Sequence, residues 1–523
     1  MQRRESGSGA CEGNGPGAPR RVTATARVSY RKTRRARPGA QQSGRGRARP
    51  WYTTSVNSRS ILLCAIPLAS ALAAAALAQS PAPRVPVPPI KTSLGPMPGV
   101  GELPLRPALP DVLTFEDGSR ATTPEQWTKR REEMKRTLAC YATGLMPPGP
   151  GNVEGRVLKS ATLLDGMVRY RLVRLAFGPG AKYGFDVAIF VPAAAKGPVP
   201  TVVFPTFGPT PGGTPLPTMV RPPEQGKGSD AMTVPLGDQA ARAAAAGAAA
   251  PVPPAGTAPP AALRPGADPE SVAKVHARVF ERGYALVIYH YQDTGEDTIG
   301  REEDGSWSFR RTRYYPAYPG YDWGLAAGWA WGLSRCIDYL EHEAFVDRGR
   351  IIAVGHSRIG KAVLVAGAFD ERIAVVAPAG SGAGGTGAYR FNGTRGGGRE
   401  GLADMMRKYP NWFSPNLYQF AVDVDRLPID QHWLIALAAP RAFISLEGTD
   451  DQNCVPNALK QAVAGAMPAY ELLGVPQRLG VHYAAHRHAL ADDDWAALLD
   501  FADQQLFGRT VARRFDQFPD SAR

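Results

Sequence analysis

The feature that most constrains this sequence is an alternation of short, β-branched apolar runs with longer amphipathic segments. The apolar runs are residues 201–204, 284–289, 351–354, 373–377, 442–446 and 479–483. The amphipathic segments include residues 322–342 and 494–507. Strands that alternate with helices in this way form a parallel sheet that helices cover on both faces. We therefore predict an α/β fold, a three-layer αβα sandwich around a mostly parallel central sheet.

The segments before the alternation predict a helix and a hairpin. Residues 119–140 have a helical pattern after a Thr-Thr-Pro start. Residues 167–177 and 185–191 have the pattern of two paired strands. These elements place the start of the folded domain near residue 109, and we expect the domain to extend to residue 510.

Low-complexity segments surround and interrupt this domain. Residues 79–108 are Pro-rich and predict an extended linker. Residues 209–270 are rich in Gly, Pro and Ala, which predicts a mostly irregular insertion. Because the insertion follows a strand of the sheet, it is also a candidate lid over the active-site edge. Residues 511–523 are predicted to form a C-terminal tail.

The excess of positive charge is confined to the N-terminus. The chain has a net charge of +14, and residues 1–59 alone hold fourteen Lys and Arg against Glu5 and Glu12. This segment has few apolar residues, so it cannot bury enough surface to fold. We predict that it is disordered, and a start codon assigned too early would explain it. The remaining chain is nearly neutral, which argues against nucleic-acid binding.

An apolar run follows the basic segment and predicts export. Residues 60–78 end in Ala76-Leu77-Ala78, and a positive flank, an apolar stretch and small residues together are typical of a signal peptide. The alternative is a transmembrane anchor, but the Pro-rich continuation favours cleavage after Ala78. We therefore predict a secreted or periplasmic protein with no stable membrane insertion after cleavage.

Three cysteines remain after the proposed cleavage site: Cys140, Cys336 and Cys454. They cannot all pair, and none stands in a CxxC spacing, so the sequence supports neither a disulfide scaffold nor a zinc site. We expect buried free thiols.

The strongest chemical signal is the sequence IIAVGHSRIG at residues 351–360. A short apolar strand runs into a sharp turn, and a helix of small residues follows. Such a turn presents Ser357 at the edge of the sheet beside a helix N-terminus, as a nucleophile requires. The strict GxSxG motif is not met, because Ile359 stands at the second glycine position and Gly360 follows it. A serine that merely caps the helix is the alternative reading.

The order of residues along the chain favours Ser357 as a nucleophile. In α/β folds that present a nucleophilic serine at such a turn, an acid and then a histidine follow the serine in the chain. The strand at 442–446 leads into a loop with Asp450 and Asp451, of which we prefer Asp451 as the acid. The next strand, at 479–483, leads to three histidines: His482, His486 and His488. A histidine there can reach Ser357 while an aspartate holds its other ring nitrogen. The histidines lack a matching carboxylate cluster, so no metal site is predicted.

With these residues identified, the chain resembles the glucuronoyl esterases, which cleave the ester between glucuronic acid on xylan and lignin alcohols. Three blocks carry the resemblance: LPDVLTFEDGSRATTPEQWTKRREEMKRTLACYATGLMPP (109–148), GHSRIGKAVLVAGAFDERIAVVAPAGSGAGG (355–385) and LPIDQHWLIALAAPRAF (427–443). A fourth match is His488, which precedes Trp495 and the last helix. The resemblance implies an α/β-hydrolase fold.

The resemblance also implies roles for individual residues. Ser357 would be the nucleophile and His488 the general base. Arg358 would stabilise the oxyanion through its backbone N–H and its guanidinium. Lys361 would contact the oxygens of the uronic acid, and Glu400 would hold sugar hydroxyls.

The chain departs from the family pattern at two positions. Many members place the triad carboxylate at the position of Gly380, so here the acid must come from the later loop, which strengthens Asp451. A tryptophan expected beside the sugar is Asn453, so the identity of the substrate is less secure than the chemistry.

The sequence thus predicts acyl transfer by double displacement on a glucuronoxylan or lignin–carbohydrate ester, with no metal or organic cofactor. A backbone N–H of residues 205–208 would assist Arg358 at the oxyanion. One alternative is an acetylxylan-type or general carboxylesterase, and a second is an inactive carbohydrate-binding relative. The sequence predicts no oligomeric state.

Overall fold

A mixed β-sheet forms the centre of the described part of the molecule. The computed structural model describes residues 94–219, 267–298, 300, 302, 306–393 and 400–520. Within these residues the strands are β1 (Glu154–Leu163), β2 (Val168–Ala176), β3 (Asp186–Pro192), β4 (Val199–Thr206), β5 (Ala285–His290), β6 (Val346–His356), β7 (Ile373–Ala379), β8 (Ala442–Gly448) and β9 (Leu479–Ala484).

The strand order is β1-β2-β3-β5-β4-β6-β7-β8-β9. The strands from β5 to β9 along this order run parallel to their neighbours, whereas β1, β2 and β3 pair antiparallel with one another and β3 pairs antiparallel with β5. The carboxyl ends of the parallel strands therefore meet at one edge, where ligands bind in sheets of this kind.

The α-helices of the described residues are α1 (Pro124–Leu138), α2 (Pro269–Val275), α3 (Ala277–Glu281), α4 (Leu325–Leu340), α5 (Arg358–Phe369), α6 (Leu402–Lys408), α7 (His432–Ala438), α8 (Pro456–Leu472) and α9 (Asp492–Phe507). A π-helical turn, Ala139–Thr143, extends α1. Helix α1 begins where the sequence predicts, because Thr123 caps it in a reciprocal box with Gln126 and proline stands at its first position.

Two apolar cores lie on opposite faces of the sheet. Neighbouring residues of a strand belong to different cores. Val203 of β4 and Ile351 of β6 belong to the core that includes residues of α1, α4, α5, α7 and α8. Their neighbours Val202 and Ile352 belong to the core that includes residues of α2, α3 and α9. Strands buried on both faces need continuous apolar runs, which is why the six parallel strands were predictable. The three-layer αβα prediction is confirmed.

The strand β1 is absent from the sequence prediction. All of its residues except Leu158 and Leu163 are exposed, so no alternation of apolar and polar residues marks it. Its place at the edge of the sheet comes from backbone pairing with β2, from Glu154 opposite Ala176 to Leu163 opposite Val168. The predicted hairpin is thus part of a three-stranded antiparallel unit.

Segments that we predicted as linker or tail contact the domain where they are described. In residues 94–108, Val100 is buried and the Tyr141 hydroxyl donates to the Pro98 carbonyl at 2.9 Å. In residues 511–520, the Val481 N–H donates to the Phe515 carbonyl at 2.7 Å, and the Phe515 ring packs on Phe501.

Other predictions fall largely outside the described residues. The basic segment 1–59 and the predicted signal peptide 60–78 lie outside them, as does 220–266 within the predicted insertion. The insertion prediction extends to residue 270, but α2 begins at Pro269 with Asp268 as its N-cap.

Cys140, Cys336 and Cys454 are free and buried, as predicted. Across the described ranges, no helix combines the length and apolar character needed to span a membrane.

Candidate active site

Ser357 lies at the turn between β6 and α5. Its φ of 59° and ψ of −124° belong to a region that side chains other than glycine rarely adopt, which costs about 1–3 kcal/mol. Two hydrogen bonds hold the turn: the Ser357 N–H donates to the Ala379 carbonyl at 2.8 Å, and its carbonyl accepts from the Lys361 N–H at 3.2 Å. The strained turn directs the hydroxyl away from the sheet edge, where a substrate can reach it.

Two glycines allow the backbone to close around this turn. A Cβ at Gly355 would lie 2.9 Å from Ile359 Cγ2, and one at Gly360 would lie 3.0 Å from the Ala379 carbonyl oxygen. Gly360 therefore permits the close approach between helix and strand that the strict motif assigns to the position before it. This explains why Ile359 can replace the second glycine.

The side chains of Ser357, His488 and Asp451 form one hydrogen-bonded chain. His488 Nε2 lies 2.8 Å from Ser357 Oγ, and His488 Nδ1 lies 2.6 Å from Asp451 Oδ2. With its proton on Nδ1, His488 donates to Asp451 and accepts from the Ser357 hydroxyl. The Asp451 side chain is 1% exposed and that of His488 is 32% exposed, so the chain runs from the protein interior to the surface.

Asp450 and Asp451, the two candidates for the acid, have different surroundings in the structure. Asp451 is buried against His488, whereas Asp450 is exposed and its N–H donates to the His486 carbonyl. Gly380 borders the same carboxylate, since a Cβ there would lie 3.4 Å from Asp451 Oδ2. The Asp451 carboxylate thus lies beside the position from which many family members supply the acid.

The surroundings of Asp451 keep its carboxyl ionised. Burial by itself would raise the pKa of Asp451, but hydrogen bonds from His488, from the Asn453 N–H and from the Cys454 thiol lower it below its usual value. The Asn453 N–H donates to Asp451 Oδ1 at 2.9 Å, which leaves Oδ2 for His488. An ionised Asp451 orients the imidazole and stabilises an imidazolium.

The other two candidate histidines have different partners. His482 Nε2 lies 3.0 Å from Asp493 Oδ2, and His486 Nε2 lies 3.0 Å from Asp494 Oδ2. Both aspartates belong to the first turn of α9, so His482 joins β9, and His486 the loop after it, to that helix. His488 is the one of the three that contacts Ser357.

His356 borders the triad, and sequence reasoning gave it no role. Its ring centroid lies 4.5 Å from that of His488 at an interplanar angle of 49°. Burial, with a smaller contribution from His488, lowers the pKa of His356 to about 4. His356 is therefore uncharged at neutral pH and adds no positive charge beside His488.

Arg358 directs its guanidinium into an aromatic and acidic environment. The guanidinium carbon lies 4.8 Å from the ring centre of Trp412, and the group pairs with Asp297. The Trp412 ring stacks on Tyr409 with centroids 3.9 Å apart. The loop after β4 lies opposite, where the exposed Phe207 ring is 5.9 Å from the guanidinium. Neither Asp297 nor Trp412 belongs to a motif that can be recognised in the sequence, so the sequence analysis did not indicate them.

Lys361 is buried, which a solvated surface lysine would not be. Its Nζ donates to the Ser381 carbonyl and lies 5.9 Å from the centre of the Trp412 ring. Burial lowers the pKa of Lys361, and the negative charge of Glu400 opposes this shift. Glu400 also lies 3.5 Å from Lys408 Nζ. Lys361 and Glu400 are thus electrostatic neighbours on the Trp412 side of Ser357.

One group of potential metal ligands among the described residues overlaps the hydrogen-bonded chain of Ser357, His488 and Asp451. The ligand atoms of Asp451, Cys454 and His488 lie within 4.8 Å of one another. His488 Nδ1 and the Cys454 thiol both hydrogen-bond to Asp451, so the hydrogen bonds of the triad account for this closeness.

Comparison with known proteins shows which proteins this chain is similar to. A family model described as "Glucuronyl esterase, fungi" matches residues 257–474. Carbohydrate esterase MZ0003, from an unknown prokaryotic organism, is 27% identical over 427 residues, which cover 76% of this chain and 90% of that protein. A 4-O-methyl-glucuronoyl methylesterase from Podospora anserina is 26% identical over 385 residues, which cover 72% of this chain and 63% of that protein.

Solved structures give the same result. A glucuronoyl esterase from Solibacter usitatus superposes with a TM-score of 0.59 at 25% identity, covering 77% of this chain and 99% of that chain. A promiscuous CE15 esterase from a marine bacterial metagenome also has a TM-score of 0.59 at 25% identity, covering 79% of this chain and 100% of that chain. The predicted α/β-hydrolase fold is confirmed. The resemblance to the glucuronoyl esterases is confirmed, and the chain is a carboxylic ester hydrolase similar to them.

Proposed function

We propose that this protein is a secreted serine esterase that cleaves esters of glucuronic acid or 4-O-methylglucuronic acid in xylan and lignin–carbohydrate material. The observation that carries the proposal is the hydrogen-bonded chain from Asp451 through His488 to the Ser357 hydroxyl. In this proposal Ser357 is the nucleophile, His488 the general base and Asp451 the triad acid.

The reaction begins when His488 takes the proton of the Ser357 hydroxyl and Oγ attacks the ester carbonyl. Asp451 holds His488 in the required tautomer and stabilises the imidazolium that forms. His488 then returns the proton to the departing alcohol as the carbon–oxygen bond of the ester breaks. His488 then takes a proton from water as the water oxygen attacks the carbonyl of the acyl-enzyme. The bond to Ser357 Oγ breaks, Oγ receives that proton from His488, and the uronic acid is released.

Charge on the carbonyl oxygen is stabilised next to Ser357. Arg358 supplies its backbone N–H at the start of α5 and its guanidinium, and the loop at residues 205–208 supplies a further backbone N–H. Loss of one preorganised oxyanion donor typically lowers kcat by about 10²–10³-fold. A charged donor in a partly buried site is therefore suited to this role.

The polar groups beyond Arg358 support binding of an acidic sugar. Lys361 and Glu400 offer a cation and an acceptor on one side of Ser357, and Trp412 and Tyr409 form an adjoining aromatic wall. Relatives from Podospora anserina and Phanerochaete carnosa bear the name 4-O-methyl-glucuronoyl methylesterase. We assign contacts with the uronate to Lys361 and Glu400 on these grounds.

A general carboxylesterase is the second candidate. It is favoured by Asn453, which stands where the family pattern expects a tryptophan, because a polar side chain cannot replace the stacking surface of an indole ring. One related structure is that of a promiscuous CE15 esterase. An acetylxylan-type activity would be a special case of this alternative.

Export belongs to the same proposal. Residues 60–78 would direct secretion, cleavage would follow Ala78, and the basic segment 1–59 would be absent from the mature protein. N-terminal sequencing of the exported protein should then begin at Gln79. A sequence that begins within residues 1–59 would contradict the cleavage.

Hydrolysis of benzyl glucuronate, compared with that of a simple acetate ester, tests the function. We expect the glucuronate ester to have the higher kcat/KM and Ser357→Ala to lower kcat by about 10⁴-fold or more. Ser160→Ala, an exposed change in β1, is the matched control and should be fully active. Turnover of the acetate alone would favour the general esterase. An unchanged rate in Ser357→Ala would refute the nucleophile, and a folded protein inactive on both esters would favour the carbohydrate-binding alternative.

A further inference from the structure

We propose that Asp297 is a positioning residue that holds the Arg358 guanidinium in the orientation needed at the oxyanion. The inference rests on the proposed function, because the oxyanion role of Arg358 is part of it. Asp297 follows β5 in a loop that no sequence motif marks, and its side chain is 7% exposed.

Three side chains donate to the Asp297 carboxylate. Arg358 Nη1 and the Tyr291 hydroxyl both donate to Oδ2, the latter at 3.1 Å, while Trp412 Nε1 donates to Oδ1 at 2.9 Å. A carboxylate with two occupied oxygens and little exposure has few other orientations available. Asp297 therefore offers the guanidinium a fixed point of attachment.

The guanidinium has no competing polar anchor among the described residues. Asp297 is its one hydrogen-bonding partner there, and Arg358 Nε is buried without any partner. The other contacts are with aromatic faces, those of Trp412, Tyr409 and Phe207 at 4.8, 5.7 and 5.9 Å. Ring faces attract a cation but impose little direction on its N–H groups. Orientation thus depends on Asp297.

The loop that carries Asp297 is itself attached to the wall of the site. Asn411 Nδ2 donates to the Thr298 carbonyl, and Arg313 Nη2 lies 3.1 Å from Glu296 Oε1. Trp412, the residue after Asn411, also contacts the Arg358 guanidinium with its ring and donates to Asp297 through Nε1. Removal of the carboxylate would free Arg358 while these attachments keep the loop in place.

The Asp297 carboxylate also keeps the Arg358 guanidinium charged. Burial by itself would lower the pKa of Arg358, but Asp297 raises it above its usual value, so the guanidinium stays protonated in its aromatic surroundings. A charged donor that is fixed before the reaction need not reorganise as charge develops on the carbonyl oxygen, as the proposed role of Arg358 requires.

A double-mutant cycle tests the inference. We expect Arg358→Ala to lower kcat by about 10²–10³-fold and Asp297→Ala by about 10–100-fold, each with little change in KM. The double variant should be about as slow as Arg358→Ala alone, because Asp297 acts through a side chain already removed. A purely structural role for Asp297 would instead multiply the two effects. Multiplicative losses, or normal kcat in Asp297→Ala, would overturn the proposal.

Two further variants keep the test decisive. Asp297→Asn preserves size and one acceptor oxygen, so it should be intermediate in kcat, and it replaces Asp297→Ala in the cycle if the alanine variant does not fold. Asp347→Ala removes the acid of another Arg–Asp pair, at the far end of β6, and should retain full kcat.

The cycle is measured on both benzyl glucuronate and an acetate ester, because the oxyanion is common to all esters. Coupling between Asp297 and Arg358 on acetate, with no turnover of the glucuronate, would refute the proposed substrate and retain the positioning role. Turnover of the glucuronate ester without coupling between the two residues would retain the proposed substrate and refute the positioning role. Absence of turnover on every ester would overturn both.

Discussion

Asp450 and Asp451 are neighbours in the chain with opposite surroundings. The Asp451 side chain is buried, accepts from His488 and Asn453, and has a lowered pKa, whereas Asp450 is exposed. The difference arises because the turn after β8 directs one side chain into the protein and the next into solvent. A triad acid must be fixed and shielded from water, and Asp451 meets both conditions.

Asp451→Asn should therefore lower kcat by about 10³–10⁴-fold, since an amide stabilises neither the required tautomer nor the imidazolium. Asp450→Asn is the matched control and should stay within about twofold of the parent rate, as exposed substitutions usually have small effects. Steady-state hydrolysis, with thermal melting to verify folding, measures both. The opposite ranking would exchange the two aspartates.

Among the secondary-structure elements, the unit formed by β6, the turn and α5 contributes the most to the site. It carries Ser357 and Arg358, and its tight turn depends on contacts that only glycine permits at Gly355. A Cβ there would meet Ile359 Cγ2 at 2.9 Å and Val363 Cγ2 at 3.0 Å, both on α5. The exposed Gly349 in the same strand has no such restriction, since a Cβ there would meet only Asp347 Oδ1, at 3.5 Å.

Gly355→Ala should lower the free energy of unfolding by about 1–3 kcal/mol, because the added methyl group forces α5 away from β6. The same displacement moves Ser357 relative to His488, so kcat should fall as well. Gly349→Ala is the control on the same strand. Thermal melting and ester hydrolysis test the pair, and equal melting temperatures for the two variants would contradict the packing argument.

At the scale of the whole molecule, the described part of the chain buries an acid as well as the two apolar cores. Glu447, at the end of β8, is 1% exposed and accepts from the Ser445 hydroxyl at 2.6 Å. Burial, with a smaller contribution from Asp451, raises the pKa of Glu447 from 4.5 to about 7. Its ionisation therefore affects the stability of the entire fold.

The sign follows from proton linkage. Between pH 4.5 and about 7 the folded protein retains a proton on Glu447 that the unfolded chain has lost, so the free energy of unfolding falls as pH rises through this range. The loss attributable to Glu447 is at most about 3 kcal/mol. In Glu447→Gln this loss should be absent, so the variant gains on the parent between pH 5 and pH 8 in thermal melting.

The control for this experiment is Glu154→Gln, an exposed change at the start of β1 that should leave the pH dependence as it is in the parent. A difference in melting temperature between Glu447→Gln and the parent that stays constant with pH would contradict the linkage.

Much of the fold and part of the site could be predicted from local sequence patterns. Strands such as β5 and β7 are continuous apolar runs because both of their faces are buried, and a pattern of this kind needs only neighbouring residues to be recognised. The turn at Ser357 and the order of serine, aspartate and histidine along the chain were recognisable in the same way. The edge strand β1 was missed because its exposed residues carry no such pattern.

The partners of the site residues depended on the tertiary structure. The sequence and the resemblance already favoured Asp451 and His488, but the contacts of His488 with Ser357 and Asp451 and that of Arg358 with Asp297 join segments that are far apart in the chain. Such contacts are set by the order of the strands in the sheet and by the direction of each loop that leaves it. Local propensity specifies which elements form, whereas packing of the assembled sheet specifies which side chains meet at its carboxyl edge.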